Sequence, residues 1–563
     1  MYQQTLDPIG GSLAWSAVTA VVPLIAMFVM LGVFRWKAYR AALIGLAIAF
    51  VAAAVGWGMP IAQTLSASAE GAFYGAFPIL WILVNAMFVY RLTVTTGWFD
   101  ELGRVIRSVT DDHRILSILI AFCFGALLES LAGFGAPVAI SAAMLMAAGV
   151  RPMTAAITSL FANTAPVAFG AMGAPVIALA GVTGLPLADL GAMAGRQTPF
   201  IAALVPLIMV FLVDGRRGMR QTWPVAIVAG VVFGGAQFVT SNYLTVELTD
   251  VVAAIVTVMA VLAMLRIWTP PGEVTGETDL PAPGDTMLRV SGSGPRAGGS
   301  LTYEAEGDVL VAVPERTLQR TLLAIAPYLT IIVVFTIVQV PAIKHGLSAI
   351  GTMTFRWPGL DIVDPSGAPV SAQNFKLDHL KATGTLLFVS GLITALLYRI
   401  RPREIVRAFQ DTVVQLRWTI VTVCTVLALA FVMNLSGQTA SLGMALASTG
   451  GFFALLSPLI GWIGVAVTGS DTSSNSLFGA MQTTAANHVG LDPTLMAAAN
   501  SSAGVLGKML SPQNLSVGVA AVGLPGNEGL LLRRLIGWSL AMLALITVVV
   551  YLQSTPVLGW MVV

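Results

Sequence analysis

The sequence concentrates its candidate chemistry in short polar motifs inside apolar stretches. The first motif, ESLAGFGAP, places Glu129 and Ser130 directly before Gly133, Gly135 and Pro137. Glycine weakens a helix, and proline lacks an amide donor and clashes with the preceding turn, so the motif predicts a helix break or a re-entrant tip. A kink between two closely packed helices is the alternative, because small residues let helices approach each other.

The second motif, TGSDTSSNS, is a nearly unbroken polar run over 468–476 that apolar segments enclose on both sides. Such a run is costly in hydrocarbon unless it lines a cavity or binds a ligand. Its hydroxyls and amides surround the carboxylate of Asp471, a set that suits a cation, or a substrate hydroxyl while the carboxylate takes a proton. The candidate binding residues here are Ser473, Ser474 and Asn475. A polar loop outside the membrane is the alternative.

Two further polar patches complete the predicted substrate site, together with the serine and the two glycines of the first motif. FANTAP contributes Asn163 and Thr164, and ANSSAGVLGK contributes Asn500, Ser501 and Lys508. The free amides of unwound helix ends attract an anionic group, and the side chains add directional hydrogen bonds. Lys508 is expected to pair either with a substrate carboxylate or with the carboxylate of the second motif.

Glu129 and Asp471 are the candidates for proton coupling. Burial in a medium of low dielectric constant penalises the charged form of a carboxyl group, so a carboxyl at membrane depth can exchange a proton near neutral pH. An aspartate among hydroxyls is also a reasonable sodium site. A sodium-coupled carrier of small carboxylates is therefore the alternative to a proton-coupled one.

The composition excludes several classes of protein. Of 563 residues, 56% are hydrophobic and only 10% are charged, whereas a soluble globular protein normally has about 25% charged residues. The net charge of +2 gives no basic excess for nucleic acid, and the two cysteines form no disulfide framework, metal box or haem motif, so no cofactor is expected. Four histidines, none in a catalytic motif, argue against a membrane-embedded enzyme.

Hydrophobic windows of the length needed to cross a bilayer, about 20 residues, predict an all-α polytopic membrane protein with about 12 transmembrane helices. Basic residues collect in cytoplasmic loops, so the cluster Arg35, Lys37 and Arg40 lies inside and both termini lie outside. Two polar inserts interrupt the pattern and have the composition of flexible loops. The first, 268–316, is expected in the cytoplasm, and 341–381 is expected to be an outer loop.

An internal repeat with opposite topology is predicted from a shift of 341 residues. It lays 148–170 over 489–511, and the basic-free loop 58–72 over the arginine-rich loop 399–413. Equivalent loops on opposite sides are typical of the inverted repeats of secondary transporters, whose substrate and ions bind near the midplane at broken helices. Chance alignment of apolar helices is the alternative. The predicted units are a first repeat over 1–214, linker helices over 215–267, the loop over 268–316 and a second repeat over 317–563.

The motifs together resemble the bacterial L-lactate permease family. The resemblance rests on ESLAGFGAPVAI at 129–140, NTAPVAFGAMGAP at 163–175, GRQTPF at 195–200, TGSDTSSN at 468–475 and SPQNLS at 511–516. It implies proton-coupled symport of L-lactate, glycolate and D-lactate across the bacterial inner membrane, with a small anion and a proton as partners. Ser130 and Leu131 depart from the Gly-Ala that often follows the glutamate in this family.

Overall fold

The computed structural model describes residues 1–131, 133, 135–272 and 318–563. Most of the predicted cytoplasmic loop 268–316 lies outside the described residues. The α-helices of the first half are Leu13–Gly32 (α1), Ala38–Val51 (α2), Ile61–Tyr74 (α3), Trp81–Thr95 (α4), Trp98–Arg107 (α5), His113–Ser117 (α6), Gly125–Leu131 (α7), Ala136–Ala147 (α8), Pro152–Ala162 (α9), Gly170–Thr183 (α10), Leu187–Ala194 (α11), Thr198–Tyr243 (α12) and Thr249–Ile267 (α13). Segments of π-helix at Ala52–Gly56, Gly75–Leu80 and Ile118–Phe124 join some of them into longer elements.

The second half has ten described α-helices and most of the strand structure. The helices are Leu318–Gln339 (α14), Pro341–Gly351 (α15), Thr383–Leu397 (α16), Pro402–Ser436 (α17), Gln438–Ala447 (α18), Phe453–Thr468 (α19), Asp471–Val489 (α20), Pro493–Lys508 (α21), Pro512–Ala521 (α22) and Glu528–Gln553 (α23). The strands of the chain are Tyr2–Gln3 (β1), Thr352–Arg356 (β2), Ile362–Val363 (β3) and Asn374–Asp378 (β4).

The described residues contain ten helical elements that are long and apolar enough to cross a membrane, or eleven if one bent pair counts as a span. One of the ten, Leu187–Tyr243, has 57 residues, which is far more than the roughly 20 needed for one crossing. It bends at Asp214 and Gly215, where the backbone leaves helical geometry. The predicted all-α polytopic membrane fold is confirmed.

The internal repeat appears in the order and spacing of the helices. The helices α3, α9 and α11 begin at Ile61, Pro152 and Leu187, and their counterparts α17, α21 and α23 each begin 341 residues later. The contacts repeat as well. Helix α2 packs on α17, and its counterpart α16 packs on α4. Helix α10 packs on α20, and their counterparts α22 and α8 also pack on each other.

Equivalent connections of the two repeats lie at opposite ends of the bundle. The hydroxyl of Tyr2 donates to the carbonyls of Trp57 (3.0 Å) and Ser436 (2.8 Å), which places the α2–α3 connection and the end of α17 beside β1. The connection equivalent to α2–α3 is the one between α16 and α17. There Tyr398 stacks on Trp98, with ring centroids 5.8 Å apart, near the start of α5. These positions agree with the predicted inversion of topology.

The segment 341–381 is folded, and the expectation of a flexible loop was wrong. Strands β2 and β4 form an antiparallel pair, and β3 pairs in parallel with β1. Phe375 lies between Phe73 of α3 and Trp357, with ring centroids 5.2 and 5.5 Å apart, which fixes the pair on the helices. The guanidinium of Arg356 beside the carboxylate of Asp361 lowers the pKa of that exposed carboxyl. We call 341–381 the outer segment because it shares a side with β1, opposite the arginine-rich α16–α17 connection.

The sidedness can be tested by labelling two exposed serines after conversion to cysteine. We expect Ser366→Cys in the outer segment to react with a membrane-impermeant maleimide on intact cells, and Ser108→Cys to react only after permeabilisation. Of the two native cysteines, Cys123 is fully buried and Cys424 is half-buried, so labelling is compared with that of the unaltered protein. Labelling in the reverse pattern would overturn the assignment of sides.

Candidate functional site

Two helical hairpins place their tips inside the bundle. The first descends through α6 and α7, turns after Leu131 and returns as α8, with Gly135 at φ +85° before the first turn of the returning helix. The second descends as α19, turns at Gly469 with φ +73° and returns as α20, which Ser470 caps. Glycine adopts such positive φ angles without strain, which explains why each turn contains one. The break predicted from ESLAGFGAP is confirmed, because α7 ends at Leu131 and α8 begins at Ala136.

Two further helices are broken, one in each repeat. Helix α9 ends at Ala162 and α10 begins at Gly170, with a bend of 61° between the two arms. The counterpart of α9 is α21, which ends at Lys508, and the chain resumes as α22 after the capping residue Ser511. Each break leaves backbone amides and carbonyls free to bind side chains or a ligand.

Asn514 holds the second break against both tips. Its Nδ2 donates to Ser511 Oγ (2.8 Å), to the carbonyl of Lys508 (3.2 Å) and to the carbonyl of Gly469 (3.4 Å). A Cβ at Gly135 would lie 3.3 Å from Asn514 Oδ1, so the first tip also reaches this amide. The second break and both hairpin tips therefore meet in one place.

Glu129 is a buried carboxylate with two strong partners. Lys508 Nζ donates to its Oε1 at 2.6 Å, and Asn163 Nδ2 donates to its Oε2 at 2.9 Å. A Cβ at Gly170 would lie 3.0 Å from the same Oε1, so the break after α9 closes tightly over the carboxylate. Lys508 pairs with Glu129 and not with Asp471, which was one of its two expected partners.

Asp471 lies in a different environment, in the first turn of α20. Its Oδ2 accepts from Ser501 Oγ at 2.5 Å and from Asn475 Nδ2 at 3.4 Å. Its Oδ1 is buried and accepts no hydrogen bond from the described residues. A Cβ at Gly504 would lie 2.7 Å from Oδ1, so a larger residue there would displace the carboxyl. Asp471 thus has only neutral donors on one oxygen and room for a proton on the other.

A chain of amides extends from this carboxylate. Asn500 Nδ2 donates to Asn475 Oδ1 at 2.9 Å, and Gln482 Nε2 donates to Asn500 Oδ1 at 3.2 Å. Asn475 Nδ2 also donates to the carbonyl of Pro175 at 3.1 Å, which ties the chain to α10. Helix α19 approaches Asn500 so closely that a Cβ at Gly461 would lie 2.1 Å from its carbonyl oxygen. The network fixes the orientation of each amide around Asp471.

Comparison with known proteins gives the same assignment as the motifs. The model of the L-lactate permease family matches residues 16–557. The chain belongs to the L-lactate permease family. It is 39% identical to an L-lactate permease of Bacillus subtilis (strain 168) over 580 residues, which cover all of both chains. It is also 39% identical to the glycolate permease GlcA of Escherichia coli (strain K12), over 100% of this chain and 99% of that one.

Among solved structures, the chain is similar to MtrF of Neisseria gonorrhoeae, which is described as one of a class of antimetabolite efflux pumps. The match has a TM-score of 0.47 and 14% identity, and it covers 95% of this chain and 98% of that one. Family membership and the apolar helices make the protein a multi-pass protein of the bacterial inner membrane. The family is one of transporters rather than enzymes.

In this permease, most of the predicted site residues are brought together, and three are not. Ser130 Oγ donates to the carbonyl of Leu127 and Thr164 Oγ1 to that of Phe161, so both hydroxyls bond within their own helical turn. The backbone amide of Ser473 donates to the capping serine of α20, and its own hydroxyl joins no bond in the described network. Asn163 and Lys508 bond to Glu129, and Asn475 and Ser501 bond to Asp471. Asn500 bonds to Asn475 and Ser474 behind Asp471.

Two residues of the network were not selected from the sequence. Asn514 follows the turn SPQ in a motif used only for the family resemblance, and its polar side chain beside Pro512 at the start of a helix was the available signal. Gln482 lies two turns beyond TGSDTSSNS on the same helix, and its spacing of seven residues from Asn475 places both on one face. Helical periodicity applied from Asp471 onward would have found it.

Proposed function

We propose that this permease carries L-lactate and related 2-hydroxymonocarboxylates, including glycolate and D-lactate, together with protons across the inner membrane. The names of the relatives support the substrate class. The coupling is supported by one observation, the excess of buried carboxyl groups over buried cations. The site holds two carboxyl groups, Glu129 and Asp471, and one lysine, Lys508, and all three residues are less than a tenth exposed.

A monocarboxylate added to this site makes its net charge more negative, and a proton taken up by Asp471 offsets that change. An uncompensated charge in a medium of low dielectric constant is very costly, so the anion and the proton favour each other's binding. Lys508 is the cation that a substrate carboxylate meets, in place of one bond to Glu129. The hydroxyl of Ser501 and the amide of Asn475, which both bond to Asp471, are the groups that we propose bind the 2-hydroxyl group.

Transport also needs the buried groups to reach water on each side in turn. The inverted repeats supply this change, because rocking of one repeat against the other alternates the access to a fixed site at their interface. The four broken elements belong to both repeats and meet at the site, so a small relative movement changes the access to it.

The test is uptake of labelled L-lactate into proteoliposomes that contain the purified protein, under an inward proton gradient, with sodium present or absent. For one proton per anion we expect accumulation of about ten-fold per pH unit, unaffected by sodium. Initial rates are compared with protein-free liposomes, because undissociated lactic acid crosses the bilayer unaided. Excess unlabelled glycolate or D-lactate should compete.

A sodium-coupled carrier is the second candidate, because Asp471 Oδ1 accepts no hydrogen bond from the described residues and the hydroxyl of Ser501 lies beside the same carboxyl group. Accumulation that needs a sodium gradient and ignores the proton gradient would establish this second function. It would overturn the proposed proton coupling.

A further inference from the structure

A second group of polar residues lines a cavity of about 850 Å³ under the outer segment. Helices α3, α4, α10 and α14 form its walls, and the connection between α12 and α13 and strand β4 form its rim. Lys344, Lys376 and Lys381 lie at the rim. None of the residues described for the central site lines this cavity, so it is a separate feature.

The floor of the cavity holds Glu70, a carboxylate of α3 that is only 1% exposed. Neither of its oxygens accepts a hydrogen bond from any residue that the structure describes. Most buried polar groups in proteins are hydrogen-bonded, so a carboxyl with both oxygens unpartnered calls for an explanation. Its position in a cavity lining points to a proton or a polar ligand as the partner.

The cavity and the central site share helix α10. The hydroxyl of Tyr74, one turn after Glu70, donates to the carbonyl of Ile177 at 3.1 Å. Two residues earlier on α10, the carbonyl of Pro175 accepts from Asn475, which also bonds to Asp471. The floor of the cavity therefore lies one short stretch of helix from the proposed coupling carboxyl.

The charges of the cavity are arranged with cations at the mouth and a lone carboxyl at the floor. The titratable or charged residues that line it together with Glu70 and Tyr74 are Tyr243, Glu247, Lys344, Lys376, Asp378 and Lys381. Asp378 pairs with Lys381 at 3.2 Å, and Glu247 accepts from Thr383 at 3.3 Å. Where α17 packs against Gly71 and Gly75, within residues 424–428, the thiol of Cys424 is the one titratable group, and α10 carries no charged residue. Three lysines against Glu247 and Asp378 leave the mouth with an excess of one positive charge, which favours small anions.

We propose that Glu70 is a proton-operated gate of the outer cavity, which admits a small monocarboxylate anion from the lysine rim only while Glu70 is protonated. This rests on the proposed function. When ionised, Glu70 repels the anion across a medium of low dielectric constant. When protonated, its O–H can donate to the anion, and the proton returns to the outer water after the anion has moved on. Glu70 thus controls the rate of entry and leaves the proton-to-anion ratio to the central site.

Glu70→Gln tests the gate because glutamine keeps the shape and a donor but never carries a negative charge. In proteoliposomes at a fixed internal pH, the initial rate of lactate uptake by the unaltered protein should fall steeply as the outer pH rises from about 6 to about 9. The fraction of a protonated carboxyl falls about ten-fold per pH unit above its pKa, so E70Q should be about ten-fold faster than the unaltered protein at the alkaline end. The final accumulation should be unchanged.

Two matched variants accompany it. Glu70→Asp keeps a carboxyl and should keep the steep pH dependence, and Glu404→Gln removes an exposed carboxyl at the inner end of α17 and should behave as the unaltered protein. An E70Q profile as steep as that of the unaltered protein would overturn the gate. Absence of lactate uptake by the unaltered protein at every pH would instead overturn the proposed function.

A chemical measurement keeps the gate testable if E70Q does not fold. A hydrophobic carbodiimide modifies protonated carboxyls, so in the unaltered protein Glu70 should be modified, more slowly at alkaline outer pH and more slowly with lactate present. Mass spectrometry of the peptide that contains Glu70 gives the rate. Modification that is independent of both pH and lactate would overturn the proposal.

Discussion

Replacement of Asp471 by asparagine should abolish proton-driven accumulation of lactate while leaving the protein folded. Asparagine retains an oxygen that can accept from Ser501, and it removes the only oxygen of the carboxyl that can take a proton. With one proton per anion, a gradient of one pH unit drives about ten-fold accumulation by the unaltered protein, and the initial rate of net uptake by the variant should fall to that of protein-free liposomes. Uptake into proteoliposomes measures both values.

The control is Asp492→Asn, which makes the same chemical change at the N-cap of α21. Asp492 accepts from the amide of Leu495 at 2.8 Å, and asparagine caps a helix about as well as aspartate. This variant should accumulate lactate normally. Exchange of external for internal lactate needs no net proton movement, so D471N should retain it. Accumulation by D471N equal to that of the unaltered protein would remove Asp471 from the coupling role.

The sequence was sufficient to predict the helical membrane architecture. The length of an apolar segment and the basic residues beside it are local features, and they determine where the chain crosses the membrane and in which direction. The run before Glu129 and the polar run at Asp471 both break where glycine and proline disfavour a helix, and both breaks are present. The shift of 341 residues reproduces helix starts such as Pro152 and its counterpart Pro493, since proline is favoured in the first turn of a helix. The folded outer segment was missed because its stability comes from aromatic contacts with α3 rather than from its own composition.

The partners within the site were less predictable. Lys508 and Glu129 are 379 residues apart, and no local rule shows that a lysine at the end of α21 reaches the first hairpin rather than Asp471. Ser130 and Thr164 have the right chemistry, but their hydroxyls satisfy the backbone one turn earlier, which depends on rotamers that the sequence does not show. Glu70 lies in an ordinary apolar helix, and only the cavity beside it distinguishes it.

The ion pair of Lys508 and Glu129 leads to the second large effect. Replacing Lys508 by methionine leaves the Glu129 carboxylate buried without its cation, and breaking a buried pair in this way costs about 3–5 kcal/mol. We expect K508M to unfold several degrees below the unaltered protein in detergent and to lose lactate transport. Lys37→Met, an exposed lysine before α2, should change neither property.

The double variant Glu129→Gln with Lys508→Met separates the structural role of the pair from its role in transport. Removing both charges leaves no unpaired ion, so the double variant should regain most of the thermal stability that K508M loses, and the two substitutions should be strongly non-additive. Transport should not return, because no cation remains to meet the substrate carboxylate. Lactate accumulation by the double variant at the level of the unaltered protein would show that Lys508 serves only to hold Glu129, and the substrate carboxylate would then have to bind at the backbone amides of the broken helices.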